Sequence, residues 1–401
     1  HKGVFGKTKT RIYRKVGNTM EFKLNDEQKM IQETARSFAQ KELAPVAEKL
    51  DKTKDSSIII ENVKKLAQLG FMGLCVPECY GGAQAGAVSY SLALTEIGKV
   101  CASTAVTMSV NNMVAELLVE FGTEAQKQKY VPRLVSGEYV AGSFCLTESS
   151  AGSDPTGMKT TAVANESGYL LNGSKLFITS AEYAGIFILW AVTDSTAQRG
   201  KGISTFIVEK GTPGCKVGRN EEKMGQRGSV TNEVHFEECQ IPKENLLGDL
   251  HNGYGIALAE LAGGRIGIGS MSVGIGLAAI DFATSYAKER IQFGKPISSL
   301  QALQWMIADS YTELDAAQLL ILRAADLKET EQPYSREAAM GKLYASEAAN
   351  RACYKAVQML GGYGYVEEYP VERFYRDARI TTIYEGTSEI QRLVIARSYL
   401  K

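Results

Sequence analysis

The sequence predicts a mainly α protein with a central β domain, in the order helical, β, helical. Apolar residues recur at three- and four-residue spacing from about 22 to 142 and again after Gly255, the period of a helix with one buried face. Between about 143 and 250 the texture changes to short runs rich in β-branched and aromatic residues, punctuated by glycine-bearing turns. With 401 residues, 44% of them hydrophobic, the chain exceeds one ordinary domain and can bury a large core. No repeat of 20 to 50 residues and no low-complexity tract interrupts this order.

In the first helical part, Leu66, Leu69, Phe71 and SLALTEIGKV (91–100) carry the helical period, broken at Pro77 and at Gly81-Gly82. In the β part, GYLLNGSKLFIT places Asn172-Gly173 between two apolar segments, and Asn-Gly predicts a hairpin because both turn positions need positive φ. IFILWAV (186–192) and ISTFIVEK (203–210) flank a polar turn and predict a second antiparallel pair. Over 299–328, Leu303, Ile307, Ser310, Leu314, Ala317, Ile321 and Ala324 form a stripe for packing against other long helices, within a bundle or in an oligomer core. The expected divisions are 20–142, 143–250 and 251–401, preceded by 1–19.

Residues 1–19 carry six basic side chains and no acidic one. They read as a tag or processing remnant, with a basic organelle-targeting remnant as the alternative. Lysine plus arginine equals aspartate plus glutamate at 45 each over the whole chain. Without the basic segment, 39 positive charges face 45 negative ones, a net of −6. No global basic field marks a nucleic-acid partner. No apolar stretch is expected to reach the roughly 18 to 20 residues that span a membrane. Seven cysteines without CxxC spacing read as reduced core thiols, and His1, His235 and His251 form no metal-ligand pattern. No metal site is expected, so redox chemistry would need an organic cofactor.

There is no GxxxxGK[ST] loop. The glycines of GGYGYVEEYP (361–370) follow the helical segment 349–360, which suits a helix C-terminus and turn better than a dinucleotide fold. In RDARITTIYEGTSEIQRLVIARSYL, Thr387 or Ser388 can cap a helix whose apolar face is Ile390, Leu393, Val394 and Leu400. Glu385 stands just ahead of that helix, between Tyr384 and Gly386. Facing an apolar pocket it would gain pKa and suit a general base; facing solvent it would be an ordinary surface or capping glutamate. FCLTESSAGSDPTG (144–157) concentrates hydroxyls and small residues around Glu148 and Asp154. It can offer hydrogen bonds to a polar ring or a phosphate, or be a solvated turn.

These last two segments resemble the two signature motifs of the acyl-CoA dehydrogenases. NGSKLFIT, PKENLLG, GGRIGIG and ERIQFGKPI lie between them in the family's order, so the likeness covers essentially all of 20–401. The resemblance implies a homotetramer of subunits with an N-terminal helical, a middle β-barrel-like and a C-terminal four-helix-bundle domain, binding FAD noncovalently. It implies α,β-dehydrogenation of a short acyl-CoA to the trans-2-enoyl-CoA, as in butyryl-CoA dehydrogenases, with electrons passed to electron-transferring flavoprotein. Glu385 would take the α-proton, and its N–H with a flavin ribityl hydroxyl would hold the thioester carbonyl.

By the same resemblance, Leu146, Thr147, Phe177 and Thr179 would meet the isoalloxazine. Arg290, Phe293 and Gln301 would reach the FAD of a neighbouring subunit. Gln358, Gly361 and Gly362 would meet the pyrophosphate, and Thr387 and Glu389 would line the dinucleotide. Ser153, Arg265, Tyr384 and Gly386 would contact the acyl-CoA. Phe177 stands where many relatives carry tryptophan, Ala262 where many carry a CoA-contacting aspartate, and Ser149 replaces a common proline. Some long- and branched-chain members place the base immediately before the GGR arginine; here that residue is Gly264.

Competing readings on the same scaffold are an enoyl-CoA reductase working with a flavoprotein partner, an acyl-CoA oxidase, and a noncatalytic acyl-CoA-binding protein. A bacterial-type cytoplasmic location is expected ahead of a mitochondrial matrix one.

Overall fold

The computed structural model describes residues 23–400; the basic segment 1–19 lies outside the described residues. Six helices come first: α1 (Asp26–Phe38), α2 (Ala44–Thr53), α3 (Ser56–Gln68), α4 (Gly86–Gly98), α5 (Ala102–Phe121) and α6 (Glu124–Val135). Two of them start on reciprocal capping boxes, Asn25 with Gln28 at α1 and Thr123 with Gln126 at α6, which satisfy N–H groups the helix itself leaves orphaned. Within α5, Asn111 and Asn112 are fully buried. Asn112 donates to the Phe71 and Met108 carbonyls and accepts from Leu74 N–H at 2.9–3.0 Å. Asn111 donates to Met72 O at 3.0 Å and accepts from Gly142 N–H at 3.1 Å. These two amides therefore tie the N-terminal helices to the first strand.

The middle region holds β1 (Ala141–Cys145), β2 (Thr161–Asn165), β3 (Gly168–Thr179), β4 (Ala184–Val192), β5 (Ile203–Glu209), β6 (Cys215–Asn220), β7 (Thr231–Ile241) and β8 (Leu246–Leu247). Hydrogen bonding runs in the order β6-β7-β3-β2-β4-β5-β8, with β1 parallel to β4. The expected antiparallel pair is β4 with β5, in register from Ile186 opposite Glu209 to Val192 opposite Ile203. The expected Asn172-Gly173 hairpin is not a hairpin. The turn joins β2 to β3 at Glu166-Ser167, and β3 passes straight through Asn172 and Gly173. Gly173 has φ +147°, sits at a register shift against β7, and a Cβ there would lie 2.5–2.7 Å from Thr160. The dipeptide supplies a β-bulge and a close approach instead of a chain reversal.

The C-terminal region contains α7 (Gly253–Glu289), a short hairpin β9 (Ile291–Gln292) and β10 (Lys295–Pro296), α8 (Gln301–Glu329), α9 (Ser335–Leu360), α10 (Val371–Arg379) and α11 (Ser388–Tyr399). Contrary to the expectation from sequence, α7 is long and apolar enough to cross a membrane, but 78% of its most apolar window is buried within the fold. It is apolar all round because α4, α5, α8, α9 and α10 pack about it. Close packing needs small residues: a Cβ on Gly274 would lie 2.3 Å from Thr95 O of α4. Of the stripe expected on α8, Ser310, Leu314, Ala317, Ile321 and Ala324 are buried, and Leu303 and Ile307 pack half-buried against the core.

The face expected for α11 is met in part. Ile390 and Val394 are half-buried, but Leu393 and Leu400 are exposed, and Ser388 and Gln391 are buried at the start of the helix, where polar contacts hold the loop before it. Among the cysteines, Cys101, Cys145, Cys239 and Cys353 are buried, Cys75 and Cys215 are half-buried, and Cys79 is exposed; all seven are free thiols.

Arg376 of α10 links all three parts of the chain. Its guanidinium grips Asp51 of α2 at 2.7 and 3.1 Å, Glu372 at 2.7 and 2.9 Å, and the Met224 carbonyl at 3.3 Å. Arg376→Met should cost roughly 2 kcal/mol, less than a fully buried pair because the partners keep some solvent. A lowered urea midpoint would show it.

Candidate active site

Helix α10 ends at Arg379, a single 3-10 turn covers Ile380–Thr382, and Thr387 caps α11 by accepting from Ile390 N–H at 3.3 Å. Glu385 occupies the short link between them with φ +54°. A left-handed backbone is costly for a residue with a Cβ, and such outliers gather at functional sites. Phe177 (φ +59°) and Phe293 (φ +53°), both singled out from sequence, share it.

The link is held by its carbonyls. Gln391 Nε2 donates to Glu385 O at 3.0 Å and to Gly386 O at 2.8 Å, and Lys342 Nζ donates to Gly386 O at 2.8 Å. The Glu385 side chain and N–H are left free for chemistry; among the described residues that N–H donates to no protein group. The carboxylate points inward: Oε2 is buried without a hydrogen-bond partner among the described residues. It lies against Gly264 of α7, where a Cβ would come within 2.9 Å of Oε2 and 2.8 Å of Met113 Sδ. Any side chain at 264 would fill the space the carboxylate uses.

Burial pushes the Glu385 carboxyl up to about 7, opposed by the charges of Arg265 and Lys342. Both cations are buried, and Arg265 Nε also has no partner. Burial pulls Lys342 down to about 8, against the attraction of Glu385. A carboxyl poised near neutrality can take or give a proton at working pH.

The other residues expected from sequence fall into two groups. Leu146 and Thr147 follow β1 and are bonded to the end of β3: Lys175 Nζ donates to Leu146 O at 3.1 Å and Leu176 N–H to Thr147 O at 2.9 Å. Phe177 sits at a bulge of β3 and is 59% exposed, and the Thr179 carbonyl accepts from Ser143 at 2.7 Å. This edge is joined to the carboxylate loop through Gln226, whose Nε2 donates to the Tyr384 hydroxyl at 3.1 Å. The Gln226 N–H donates to the Asp377 carboxylate, whose pKa burial raises to about 7. Tyr384 therefore anchors the loop to the β domain. Ser153 is exposed on the 149–154 turn, and Thr387 and Glu389 start α11 beside Glu385.

Arg290, Phe293, Gln358, Gly361 and Gly362 line one cavity of about 960 Å³; Gln301, at the start of α8, is not in that lining. Phe293 is 88% exposed, and Arg290 stacks on Tyr363 at 5.5 Å. Cβ atoms added at Gly361 or Gly362 would meet nothing within 4 Å.

Three family models match along the chain: the acyl-CoA dehydrogenase N-terminal domain over residues 25–138, the middle domain over 143–239 and the C-terminal domain over 251–400. The chain belongs to the acyl-CoA dehydrogenase family. An acryloyl-CoA reductase (NADH) of Anaerotignum propionicum is 46% identical over 385 residues, 95% of this chain and 96% of that one. The structure of butyryl-CoA dehydrogenase from Megasphaera elsdenii matches with a TM-score of 0.92 and 42% identity, covering 95% of this chain and all of that one. A chain from the work "Electron transferring flavoprotein of Acidaminococcus fermentans: Towards a mechanism of flavin-based electron bifurcation" also matches at TM-score 0.92, with 46% identity and coverage of 95% and 100%.

The protein is accordingly an acyl-CoA dehydrogenase-family oxidoreductase, and FAD is its cofactor. The residues present fit that group. An uncovered aromatic ring stands beside the 146–147 loop, and the large cavity is walled by side-chain-free glycines with an arginine at its rim. Sequence reasoning did not single out Lys342, Gln391, Gln226 or Asp377. Lys342 left a trace: it interrupts an apolar helical stripe of Ala338, Ala345 and Ala349, where a lysine signals a buried partner.

Proposed function

We propose that the protein catalyses FAD-dependent α,β-dehydrogenation of a short-chain acyl-CoA, with Glu385 abstracting the α-proton and electrons leaving to an electron-transferring flavoprotein. The observation that carries this reading is the buried Glu385 Oε2, unpartnered and pressed against Gly264. FAD, when bound, supplies the acceptor for the β-hydride. The chain supplies the rest. The Glu385 carboxylate takes the α-proton, and its free N–H orients the thioester carbonyl as enolate charge develops. Arg265 and Lys342 keep part of the carboxyl population ionised. Leu146, Thr147, Phe177 and Thr179 would hold the flavin ring. Gln358, Gly361 and Gly362 would meet the pyrophosphate, with Thr387 and Glu389 alongside. Arg290, Phe293 and Gln301 would serve the FAD of a neighbouring subunit in a homotetramer. Trp305 and Leu319 on α8, exposed in the single chain, support such an assembly.

Support for a short acyl group comes from the space beside α7. Met113 Sδ packs against Gly264, and the Tyr90–Ser109 hydroxyl pair, 3.0 Å apart, packs against Gly267, where a Cβ would come within 2.5 Å of both oxygens, which leaves little room for a long chain there. Anaerobic titration with butyryl-CoA tests the reading. Bleaching of the flavin band is the expected result, and a band unmoved by butyryl-CoA would remove the short-chain assignment.

A second reading, enoyl-CoA reduction with a flavoprotein partner, draws support from the acryloyl-CoA reductase relative and from the same carboxyl. With Glu385 near 7, acid and base forms are both present at neutral pH. Dehydrogenation needs the carboxylate, so its rate should rise with pH and level off above about 7. Reduction needs the carboxylic acid and should fall over the same range. Single-turnover rates from pH 5.5 to 9 in both directions would show the two opposite limbs. Parallel profiles would exclude Glu385 as the shared acid and base.

A further inference from the structure

Glu260 lies on α7 one helical turn before Gly264, the residue against which Glu385 Oε2 packs, so the two carboxyls serve neighbouring turns of one helix face. Glu260 is only 5% exposed, and among the described residues its carboxyl makes no hydrogen bond or ion pair, although its oxygens keep a trace of solvent contact. A carboxyl so nearly buried and without a protein partner is costly to a fold, so packing alone does not account for it. Around it stand Lys328 of α8, Tyr334 and Glu116 of α5. A Cβ on Gly263 would lie 3.2 Å from Lys328 Nζ, 3.8 Å from the Tyr334 hydroxyl and 3.9 Å from Glu260 Oε1. Lys328 is ion-paired with Glu116. One turn further along α5, Glu120 is exposed to solvent. Polar groups are thus placed in succession from the turn beside Gly264 to the surface at Glu120, between helices that are otherwise apolar.

We propose that Glu260 relays protons between Glu385 and solvent, through the Glu116–Lys328 pair and the exposed Glu120. The proposal rests on the reading of Glu385 as the base. After α-proton abstraction Glu385 is a carboxylic acid. Its proton passes to Glu260 directly or across one water, the reach of ordinary proton transfer. Glu260 gives up its own carboxyl proton toward Glu116, and Glu120 passes one to water. Each O–H bond broken is matched by one formed, no electrons move, and Glu385 ends as a carboxylate. Reduction runs the same path inward.

The surroundings suit this role. Burial first, then Glu116, pushes the Glu260 carboxyl well above the usual range, which favours its neutral form; Lys328 opposes the shift, and Glu120 and then Glu385 add to it. Lys328 stays charged: although burial opposes it, Glu116, Cys75, Tyr334 and Glu260 together raise its pKa. One fixed ammonium therefore balances the single carboxylate that a passing proton leaves behind.

The test uses the FAD-loaded enzyme and 3-thiabutyryl-CoA, whose sulfur in place of the β-carbon allows loss of an α-proton but not of a hydride. Two quantities are read: the long-wavelength absorbance of the enolate stacked on the flavin, and exchange of the α-hydrogens into D2O by mass spectrometry at saturating ligand. Glu260→Gln should leave the rate and extent of the absorbance change within about two-fold and slow exchange on the order of ten-fold. Glu260→Asp should recover most of the exchange. Exchange unchanged in Glu260→Gln, or absorbance and exchange slowed in parallel, would overturn the relay. Absence of the band in the unaltered enzyme would remove Glu385 as base and the relay with it. Should Glu260→Gln not fold, Glu120→Gln at the exposed end carries the test: slower exchange with an intact band supports the relay, and unchanged exchange ends it.

Discussion

Glu385→Gln should fold, bind FAD and stay yellow, yet lose about 10² to 10⁴ of the rate of flavin reduction by butyryl-CoA, the usual range for a general base, with more possible for a carbon acid. Glutamine keeps the shape that rests on Gly264 and leaves intact the backbone carbonyls held by Gln391 and Lys342. What it removes is the proton acceptor. Stability should not fall, and can rise at neutral pH. A folded-state value of about 7, above the unfolded carboxylate's, means that the folded protein binds the proton more tightly. The buried carboxyl therefore costs increasing stability as pH climbs from about 4.5 to 7. The variant lacks that slope. Stopped-flow reduction together with urea midpoints at pH 5 and pH 8 checks both parts. Near-normal reduction in the variant would remove the base assignment.

Lys175→Met should cost about 3–5 kcal/mol at neutral pH, the range for removing one partner of a buried ion pair. Lys175 is fully buried and Glu148 nearly so, with Nζ 2.8 Å from Oε1. Glu148 also accepts the Lys159 and Thr160 N–H groups at 2.6 and 3.0 Å. Although burial works against ionisation, Lys175 and these donors keep the carboxyl below its ordinary value. Without the ammonium the carboxylate is stranded in the β domain, so the destabilisation should be larger at neutral than at acid pH, where Glu148 can neutralise by protonation. Pairing the change with Glu148→Gln should recover much of the loss. Lys175 Nζ also fixes the Leu146 carbonyl, so FAD retention on gel filtration should drop with the single variant. Unchanged urea midpoints would mean that the pair is not what holds this loop.

Much of the architecture was legible because burial writes a period into the chain. The α8 stripe emerged in the structure as a buried face, and the 186–192 and 203–210 runs paired as read. Misreadings came where a local signal has two physical uses. Asn-Gly offers positive φ equally to a turn and to a bulge, and only the pairing of β3 with β7 selects the bulge. The apolar residues of α11 looked like one inward face, but only Ile390 and Val394 are half-buried, and the buried position is taken by Gln391, which holds the loop carbonyls. Residues 253–289 escaped notice as a long apolar helix because glycine and serine dilute the run, while their small size is what lets five helices close around it.

The sequence by itself determined the family, the helical–β–helical order and the identity of the cofactor, because ordered motifs and hydrophobic periods are properties of the chain read along its length. It also put Glu385 ahead of a helix start, but left its environment open between solvent and an apolar pocket. Only the tertiary structure decided that question. A carboxyl's chemistry depends on what other segments bring within a few ångströms of it. Gly264 and Arg265 of α7, Met113 of α5 and Lys342 of α9 lie far from Glu385 in the chain; apart from the lysine that interrupts the α9 stripe, local sequence carries no sign of which of them burial and charge bring together.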